Sequence, residues 1–579
     1  MTVQEALLSA RGHAGSVGTQ ERLGFARGMV SAAVGAYWSE IHGATRDWSL
    51  CKAPSDVYVA SLPLAAEEVA LNIGACAARM DVSDASYTIG LLYTGVMPEG
   101  LRAKLGAYYT PPSLCEQLLD MATEAGVDWR SARVLDPACG GGAFLSPVAL
   151  RMVANLQDYS AEDALKEIVR RLHGFEIDPF AAWMSQVFLE VTLYDLCQSA
   201  GRRLPNVVRV CHSLEQAPDV EGFDLVVGNP PYGRATLSPQ MRATYLRSLF
   251  GHANLYGLFT DLALRFCRLG GVVAYVTPTS VLSGEYFKAL RGLLGQEAPP
   301  VSIAFIEKRS SVFADVLQET MLAAYRRGEC GRCGEVNFIS CESDGSIKTT
   351  EAGSFRLPER ADRPWIIPRT ETQAELVARA DALHYRLVDY GYRVSTGPLV
   401  WNRHKKSLRD TPGEGRYPLI WAESVRSQGV FEFRAQRRNH KPYFEPKTDE
   451  YWVVTDFPCV LLQRTTAKEQ GRRLVAAELP MSFLREHGAV VIENHLNMIR
   501  PIVAPPSVSP GALAALLNSA AVDQLFRCIN GSVAVSAYEL ESLPLPSPDS
   551  MKEIEQLVRA RARRQSVEYA VEHLYWNGY

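Results

Sequence analysis

The sequence predicts an α/β fold with a mainly parallel β-sheet between about residues 105 and 330. Over this interval short apolar runs alternate with stretches of helical periodicity, which is the pattern of β-α-β units. Two runs, FDLVVG at 223–228 and GGVVAYVTP at 270–278, are continuously apolar, as expected for strands buried on both faces. The predicted strands are 133–135, 172–175, 207–210, 224–227 and 272–276.

The regions on either side differ in composition from this α/β interval. Residues 1–100 are rich in Ala, Leu, Glu and Met, which predicts a helical region that packs on the domain or covers it. The stretch 341–370 is polar and broken by Gly, Ser and Pro, which predicts a linker. Residues 371–579 mix short strands, turns and helices. We therefore predict an α/β domain at 101–340 and a mixed α+β domain at 371–579.

The composition indicates a soluble cytoplasmic protein. Hydrophobic residues make up 47% and charged residues 21% of the 579 positions, as in ordinary globular domains. No run of about 18 apolar residues predicts a membrane span, and the N-terminus does not resemble a signal peptide. The twelve cysteines are scattered, which fits a reducing compartment.

The net charge of −4 disfavours a polyanionic partner, but it hides a local basic stretch. Between 401 and 440, nine Lys and Arg residues stand against four Asp and Glu residues, an excess of five cations. Such an excess suits a surface that contacts phosphate groups, although a solvated charged face has the same composition.

Two motifs at predicted strand ends indicate a nucleotide-like ligand. VLDPACGGGAFL at 134–145 is an apolar strand that ends at Asp136 and continues into a Gly-rich turn. Glycines allow the backbone to approach a ligand closely, and ligands of open α/β sheets bind at the carboxyl ends of strands. GFEIDPFA at 174–181 ends the next strand at Glu176, whose carboxylate is suited to accept hydrogen bonds from ribose hydroxyls.

The decisive motif is Asn229-Pro230-Pro231-Tyr232, at the end of the predicted strand 224–227. Two consecutive prolines fix the backbone and lack N–H groups, so carbonyl oxygens and the Asn229 side-chain oxygen form a cluster of acceptors. Acceptors beside an aromatic ring suit the exocyclic amine of a flat base.

In this order, the motifs resemble those of the gamma-class adenine-N6 DNA methyltransferases, the TaqI-like modification enzymes of bacterial restriction systems. LGAYYTPP at 105–112 resembles their segment over the methionine end of the cofactor, and 254–282 resembles the helix and strand after their catalytic loop. The resemblance implies a Rossmann-like, S-adenosylmethionine-dependent domain with a mostly parallel seven-stranded sheet. It also implies that the C-terminal domain recognises the DNA target.

The resemblance assigns roles to individual residues, with no metal among them. The implied catalytic residues are Asn229, Pro230, Pro231, Tyr232 and, in a late strand, Phe313. The implied cofactor contacts are Tyr108, Thr110, Asp136, Pro137, Ala138, Gly140, Gly142, Glu176, Ile177, His212 and Asn229. The family usually has an acidic residue where this chain has His212, so the contact with the cofactor adenine stays open.

The resemblance also implies a partner and a mechanism. The target adenine leaves the double-stranded DNA, stacks on Tyr232, and offers its amine to the Asn229 side-chain oxygen and the Pro230 carbonyl. The side chains predicted to contact DNA are Arg403, Lys405, Arg464, Lys468, Arg472 and Arg473. Their types suit phosphates or guanine edges. We expect a monomer that shares its target sequence with a cognate restriction endonuclease.

Three other functions stay open at this point. Cytosine-N4 methylation uses the same kind of acceptor loop, although that class more often has Ser before the prolines. Methylation of protein glutamine side chains also uses NPPY, in shorter chains that lack a large C-terminal domain. A non-catalytic DNA-binding subunit would have a degraded catalytic or cofactor loop, whereas only His212 departs from the pattern here.

Overall fold

The computed structural model describes residues 2–42, 48–105, 109–306, 319–341, 346–360, 362–466, 471–529 and 534–576. The chain divides into two compact units. The first comprises Met1–Pro278 and Ala289–Thr350, and the second comprises Thr279–Lys288 and Glu351–Tyr579. The first 100 residues therefore belong to the same unit as the predicted α/β domain.

A large sheet forms the centre of the first unit. Its strands are β1 Val134–Asp136, β2 Leu172–Glu176, β3 Val208–Val210, β4 Phe223–Gly228, β7 Cys267–Pro278, β8 Pro300–Ile306, β9 Thr320–Arg326, β10 Cys333–Cys341 and β11 Ile347–Arg356. Two short strands, β5 Arg234–Ala235 and β6 Ala253–Asn254, form a separate antiparallel pair. In space the order is β3-β2-β1-β4-β7-β9-β8-β10-β11.

The strand directions confirm the predicted class. β1, β2, β3, β4 and β7 run parallel to their neighbours in that series, and β10 runs parallel to β8. β9 is antiparallel to both β7 and β8. The predicted mainly parallel α/β sheet is therefore present, with nine strands instead of the seven expected.

The interval 341–370, predicted as a linker, contains the boundary between the two units and also a strand, β11. Most side chains of Ile347–Arg356 are exposed or half-buried at the edge of the sheet. An edge strand that faces solvent needs few apolar residues, so its sequence has the polarity of a loop.

The helices of the first unit include five in the N-terminal region, namely Val3–Gly15, Arg22–His42, Leu64–Ala77, Val82–Val96 and Glu99–Leu105. The others are Pro112–Glu124, Leu145–Ala154, Ala161–Arg171, Pro179–Thr192, Tyr194–Ser199, Pro239–Thr244, Leu255–Phe266 and Lys288–Glu297. The N-terminal helices share one buried apolar cluster with Phe180, Trp183 and Phe188 of the helix Pro179–Thr192. This shared core joins residues 1–100 to the α/β domain.

The second unit contains two further sheets. One has four antiparallel strands in the order β12 Tyr392–Thr396, β20 Leu496–Pro501, β17 Val460–Gln463 and β18 Ala476–Glu478. The other has five short strands in the order β13 Leu408–Arg409, β15 Tyr443–Phe444, β14 Tyr417–Ile420, β19 Val490–Ile492 and β16 Val454–Thr455. The mixed α+β character predicted for residues 371–579 is therefore observed.

Helices complete the second unit. They are Ser280–Ser283, Glu371–Ala380, Met481–His487, Pro510–Leu517, Ala520–Ile529, Ala537–Glu541, Lys552–Arg559 and Arg564–Trp576. Within the described residues, no single helix has the length and apolarity needed to cross a membrane; Pro510–Leu517 and Ala520–Ile529 meet that test only together, across a 66° bend.

Candidate cofactor and catalytic site

A cavity of about 240 Å³ lies at the carboxyl ends of the parallel strands of the first unit. Asp136 ends β1, Glu176 ends β2, and Asn229 directly follows β4. Ten of the sequence-predicted residues line this cavity: Thr110, Asp136, Pro137, Ala138, Gly140, Glu176, Ile177, His212, Asn229 and Pro231. The sheet therefore brings together side chains that are more than 100 positions apart in the sequence.

Some predicted residues do not line this cavity. Tyr108 and Phe313 lie outside the described residues. Pro230 is buried, and Gly142 packs against the helix Pro179–Thr192. Gly142 has φ +88°, and a Cβ there would lie 2.7 Å from Ser185 Oγ, so packing against Ser185 requires a glycine here.

Backbone N–H groups hold the Glu176 carboxylate in place. Oε2 accepts a hydrogen bond from the Gly140 N–H at 2.8 Å, and Oε1 accepts from the Ile177 and Asp178 N–H groups at 2.9 Å each. Burial raises the pKa of Glu176, and these N–H groups oppose that rise. A carboxylate has about four acceptor positions, so one remains for a ligand.

Asp136 is buried at the floor of the same cavity. Its Oδ1 accepts a hydrogen bond from the Ala138 N–H at 3.0 Å, which shapes the turn after β1. Burial raises the pKa of Asp136 to about 8, and the nearby Glu176 charge adds to the rise. The side chain therefore holds the Gly-rich loop at Ala138 through this hydrogen bond.

Two neighbours fix the amide of Asn229. Its Nδ2 donates to Thr110 Oγ1 at 3.1 Å, and its Oδ1 lies 2.6 Å from the Tyr232 hydroxyl, which donates to it. The same hydroxyl lies 3.1 Å from the Val276 carbonyl oxygen. An amide oxygen has two lone pairs, so Oδ1 keeps one for a second donor. The sequence predicted the ring of Tyr232 as functional but missed the role of its hydroxyl.

The cavity wall also includes residues that the sequence did not predict. Tyr93, from the N-terminal helical region, donates to Asp178 Oδ2 at 2.7 Å, and Arg27 lies 3.3 Å from Asp178 Oδ1. Tyr93 and Asp178 both line the cavity. Residues 1–100 therefore contribute directly to the site, although no motif in them signals it.

Tyr109 is the second missed tyrosine, next to the predicted Tyr108. Its ring lies between two glycines: a Cβ at Gly90 would come within 2.3 Å of the ring, and one at Gly141 within 2.5 Å. Real Cβ atoms do not approach so closely, so both positions must be glycine for Tyr109 to cover the cofactor loop. The YYTPP segment contained this signal, but it did not distinguish the two tyrosines.

The cations predicted for DNA contact have different environments in the second unit. Arg403 and Lys405 are exposed, and Lys405 Nζ lies 5.7 Å from the centre of the Trp401 ring. Arg464 is half-buried and donates to the Asn494 carbonyl oxygen at 3.4 Å. Lys468 lies outside the described residues.

Two further cations predicted for DNA contact, Arg472 and Arg473, interact with other residues of the second unit. Arg472 is half-buried, with its Nη2 3.4 Å from Glu568 Oε2. Arg473 is only 2% exposed, and its guanidinium donates to the carbonyl and the hydroxyl of Thr466. The predicted DNA contact of Arg473 is therefore wrong, because a buried side chain does not reach a phosphate.

Part of the chain that forms this cavity is similar to a known methylase family. Residues 171–313, which include Glu176 and the NPPY loop, match the Eco57I restriction-modification methylase family. The matched interval runs from the end of the helix before β2 to beyond β8, so it covers half of the cavity wall.

Two Type II methyltransferases are similar to a larger part of the chain. Type II methyltransferase M.BsuBI of Bacillus subtilis is 26% identical over 77% of this chain and 89% of its own length. M.PstI of Providencia stuartii is 26% identical over 57% of this chain and 66% of its own. The ATP-dependent Type ISP restriction-modification enzyme LlaBIII, in a DNA-bound structure, has a TM-score of 0.50 at 10% identity, covering 97% of this chain and 50% of that one; this likeness concerns the fold alone.

These relatives confirm the resemblance to modification enzymes of restriction systems and the predicted cofactor, S-adenosylmethionine. The cavity of the first unit suits that molecule, which is a cation with a ribose diol and an adenine ring. Glu176 has an acceptor position left for a hydroxyl, and Ile177 and Leu214 offer apolar surface. Among the described lining residues there is no Lys or Arg, and His212 Nδ1 has no hydrogen-bond partner in the described chain.

Proposed function

We propose that this chain is a site-specific DNA adenine-N6 methyltransferase and the modification enzyme of a restriction-modification system. The observation that carries the proposal is the Asn229 amide, which lies at the cavity and is fixed by Thr110 on one side and Tyr232 on the other. Its oxygen keeps an acceptor position for an amine. A reaction at an exocyclic amine needs such an acceptor beside the methyl donor.

The residues of the loop supply orientation and charge stabilisation. When bound, S-adenosylmethionine supplies an electrophilic methyl group on a sulfonium. Asn229 Oδ1 and the Pro230 carbonyl accept the two amine hydrogens, which directs the nitrogen lone pair toward the cavity. These acceptors also stabilise the positive charge that develops on the nitrogen. Positioning of this kind provides much of the acceleration of a two-reactant step.

The half-buried ring of Tyr232 is suited to stack on the target base. Its hydroxyl is held at Asn229 and Val276, so the ring is fixed before a base arrives. A base that has left the duplex loses its stacking partners, and stacking on an aromatic side chain returns about 1–3 kcal/mol. We infer that the enzyme acts on a flipped-out adenine.

The choice of adenine over cytosine rests on Asn229 at the first position of the loop. A cytosine-N4 methyltransferase with the same fold remains the second candidate, because cytosine also offers an exocyclic amine. We propose that the exposed Arg403 and Lys405 contact the DNA phosphates and that the enzyme works as a monomer in the cytoplasm. A cognate endonuclease would act on the same sequence.

The test is transfer of label from methyl-tritiated S-adenosylmethionine to mixed duplex DNA, followed by nucleoside analysis of the product. Label in N6-methyladenine is the expected result. Label in N4-methylcytosine would keep the mechanism and overturn the base assignment. Absence of label from DNA, with label in protein glutamine under the same conditions, would overturn the DNA substrate altogether.

A further inference from the structure

Two adjacent aromatic side chains, Tyr451 and Trp452, stand exposed on the second unit. Trp452 is 64% exposed and Tyr451 is 52% exposed. All nine tryptophans of the chain lie in its described parts, and the other eight are buried or half-buried. A large aromatic surface in water is unfavourable, so its retention at one place indicates a contact surface.

The backbone that carries this aromatic pair is held firmly on both sides. The pair begins the 3₁₀ turn Tyr451–Val453, and Val453 is fully buried. Glu450, directly before the pair, is also buried. Its Oε1 lies 2.9 Å from His404 Nδ1, and its Oε2 accepts from the Lys447 N–H at 3.0 Å. The exposure of the two rings is therefore a fixed property of a well-packed turn.

The contact between Glu450 and His404 joins the turn of the aromatic pair to a segment that carries exposed cations. Arg403 and Lys405 flank His404 in the sequence, and Lys447 is exposed on the turn that leads to the pair. None of these three cations has a carboxylate within 4.0 Å among the described residues. Flat rings on a turn that also carries exposed cations match a polyanion that carries flat bases.

We propose that Tyr451 and Trp452 form an aromatic contact for DNA, with the Trp452 ring against the bases and Arg403, Lys405 and Lys447 on the neighbouring phosphates. This inference rests on the proposed DNA substrate and adds a second kind of contact to it. Phosphate contacts depend strongly on salt because they release counterions, whereas stacking on a base does not. The two kinds of contact can therefore be separated by experiment.

The experiment uses the full chain and a fluorescently labelled duplex taken from DNA that the wild type methylates. Trp452→Ala should weaken DNA binding about tenfold, as expected for one lost stacking contact, with an unchanged slope of log affinity against log salt. Trp452→Phe keeps a ring and should restore most of the affinity. Tyr569→Ala, which removes an exposed aromatic from the helix Arg564–Trp576, is the matched control and should bind like the wild type.

Equal DNA binding by Trp452→Ala and the wild type would overturn the inference while the proposed function stands, because the wild type would still methylate the duplex. A change in sedimentation without a change in DNA affinity would instead assign the surface to protein contact and also overturn it. If the wild type methylates no DNA, the proposed function fails before any variant is compared.

Discussion

The cavity of the first unit and the basic stretch of the second unit hold their polar groups in different ways. In the cavity, Glu176 is fixed by three backbone N–H groups and Asn229 by two side chains. In the stretch 401–440, charged side chains lie on 3₁₀ turns, a short strand and loops. Several of them form ion pairs with residues of opposite charge. Glu445 pairs with both Arg409 and Arg416. Groups in the cavity are therefore preorganised, whereas the charge of the surface depends on which pairs form.

That difference explains which cations remain for a ligand. Glu432 lies beside Arg426 and Arg434, so it offsets positive charge within the stretch. Within the stretch 401–440, which the structure describes throughout, five exposed cations have no carboxylate within 4.0 Å among the described residues: Arg403, Lys405, Lys406, Arg437 and Arg438. Surface ion pairs add little stability, so their main effect here is to restrict the positive surface to two loops.

The largest effect expected on stability tests whether Arg473 belongs to the fold and not to the DNA surface. Arg473→Ala should lower the free energy of unfolding by about 2–3 kcal/mol, because it leaves buried acceptors without their charged donor. Thermal unfolding followed by circular dichroism should show the loss, and Arg438→Ala, at an exposed position, should not. Wild-type stability with weakened DNA binding in Arg473→Ala would place this side chain on the surface after all.

The next effect tests the cavity. Glu176→Ala should weaken S-adenosylmethionine binding about 30-fold, since it removes an anionic acceptor and leaves three N–H groups without their partner. Isothermal titration measures the change directly. Glu221→Ala, which removes an exposed carboxylate of the same unit, is the control. An affinity within threefold of the wild type for Glu176→Ala would mean that the cofactor binds elsewhere.

The contacts of Tyr109 with Gly90 and Gly141 allow a further test of the cavity. Gly90→Ala and Gly141→Ala should each reduce cofactor affinity about five- to tenfold, because overpacking of about 1–3 kcal/mol displaces the ring. Gly35→Ala is the matched control, since a Cβ there meets nothing within 4 Å in the helix Arg22–His42. If Gly141→Ala binds the cofactor like Gly35→Ala, Tyr109 has no part in holding the loop.

The smallest expected effects concern the surface. Replacing Arg403 and Lys405 by Ala should lower DNA affinity several-fold and reduce the slope of log affinity against log salt by about two. Replacing the paired Arg416 and Arg434 should change the slope less, because Glu445 and Glu432 already offset their charge. Equal slopes for the two double variants would show that ion pairing does not decide which cations meet DNA.

The sequence was most informative where function depends on short, local patterns. Asp136, Glu176 and Asn229 each end or follow a strand, and parallel strands place those ends at one edge of the sheet, so their proximity was predictable. The partners of Asn229 were less accessible to sequence reasoning. Thr110 lies 119 positions away from it, and only the folded chain shows that the two side chains are hydrogen-bonded.

Other features had no local signal at all. β11 was not predicted within the interval 341–370, because an exposed edge strand is polar. Arg473 was taken for a DNA contact because burial of a cation depends on distant partners, here on the packing around Thr466. Tyr93 was missed because a helix that packs on a domain can contribute one side chain to a cavity without any motif.

The most direct measurement compares the wild type and Asn229→Ala in single-turnover methylation of DNA, with S-adenosylmethionine binding measured on the same preparations. We predict that Asn229→Ala binds the cofactor within about twofold of the wild type. Methyl transfer should fall by about 10²–10³-fold, the usual loss on removal of one charge-stabilising group. Undiminished methyl transfer by Asn229→Ala would contradict the proposed role of Asn229, because groups other than the NPPY loop would then hold the amine.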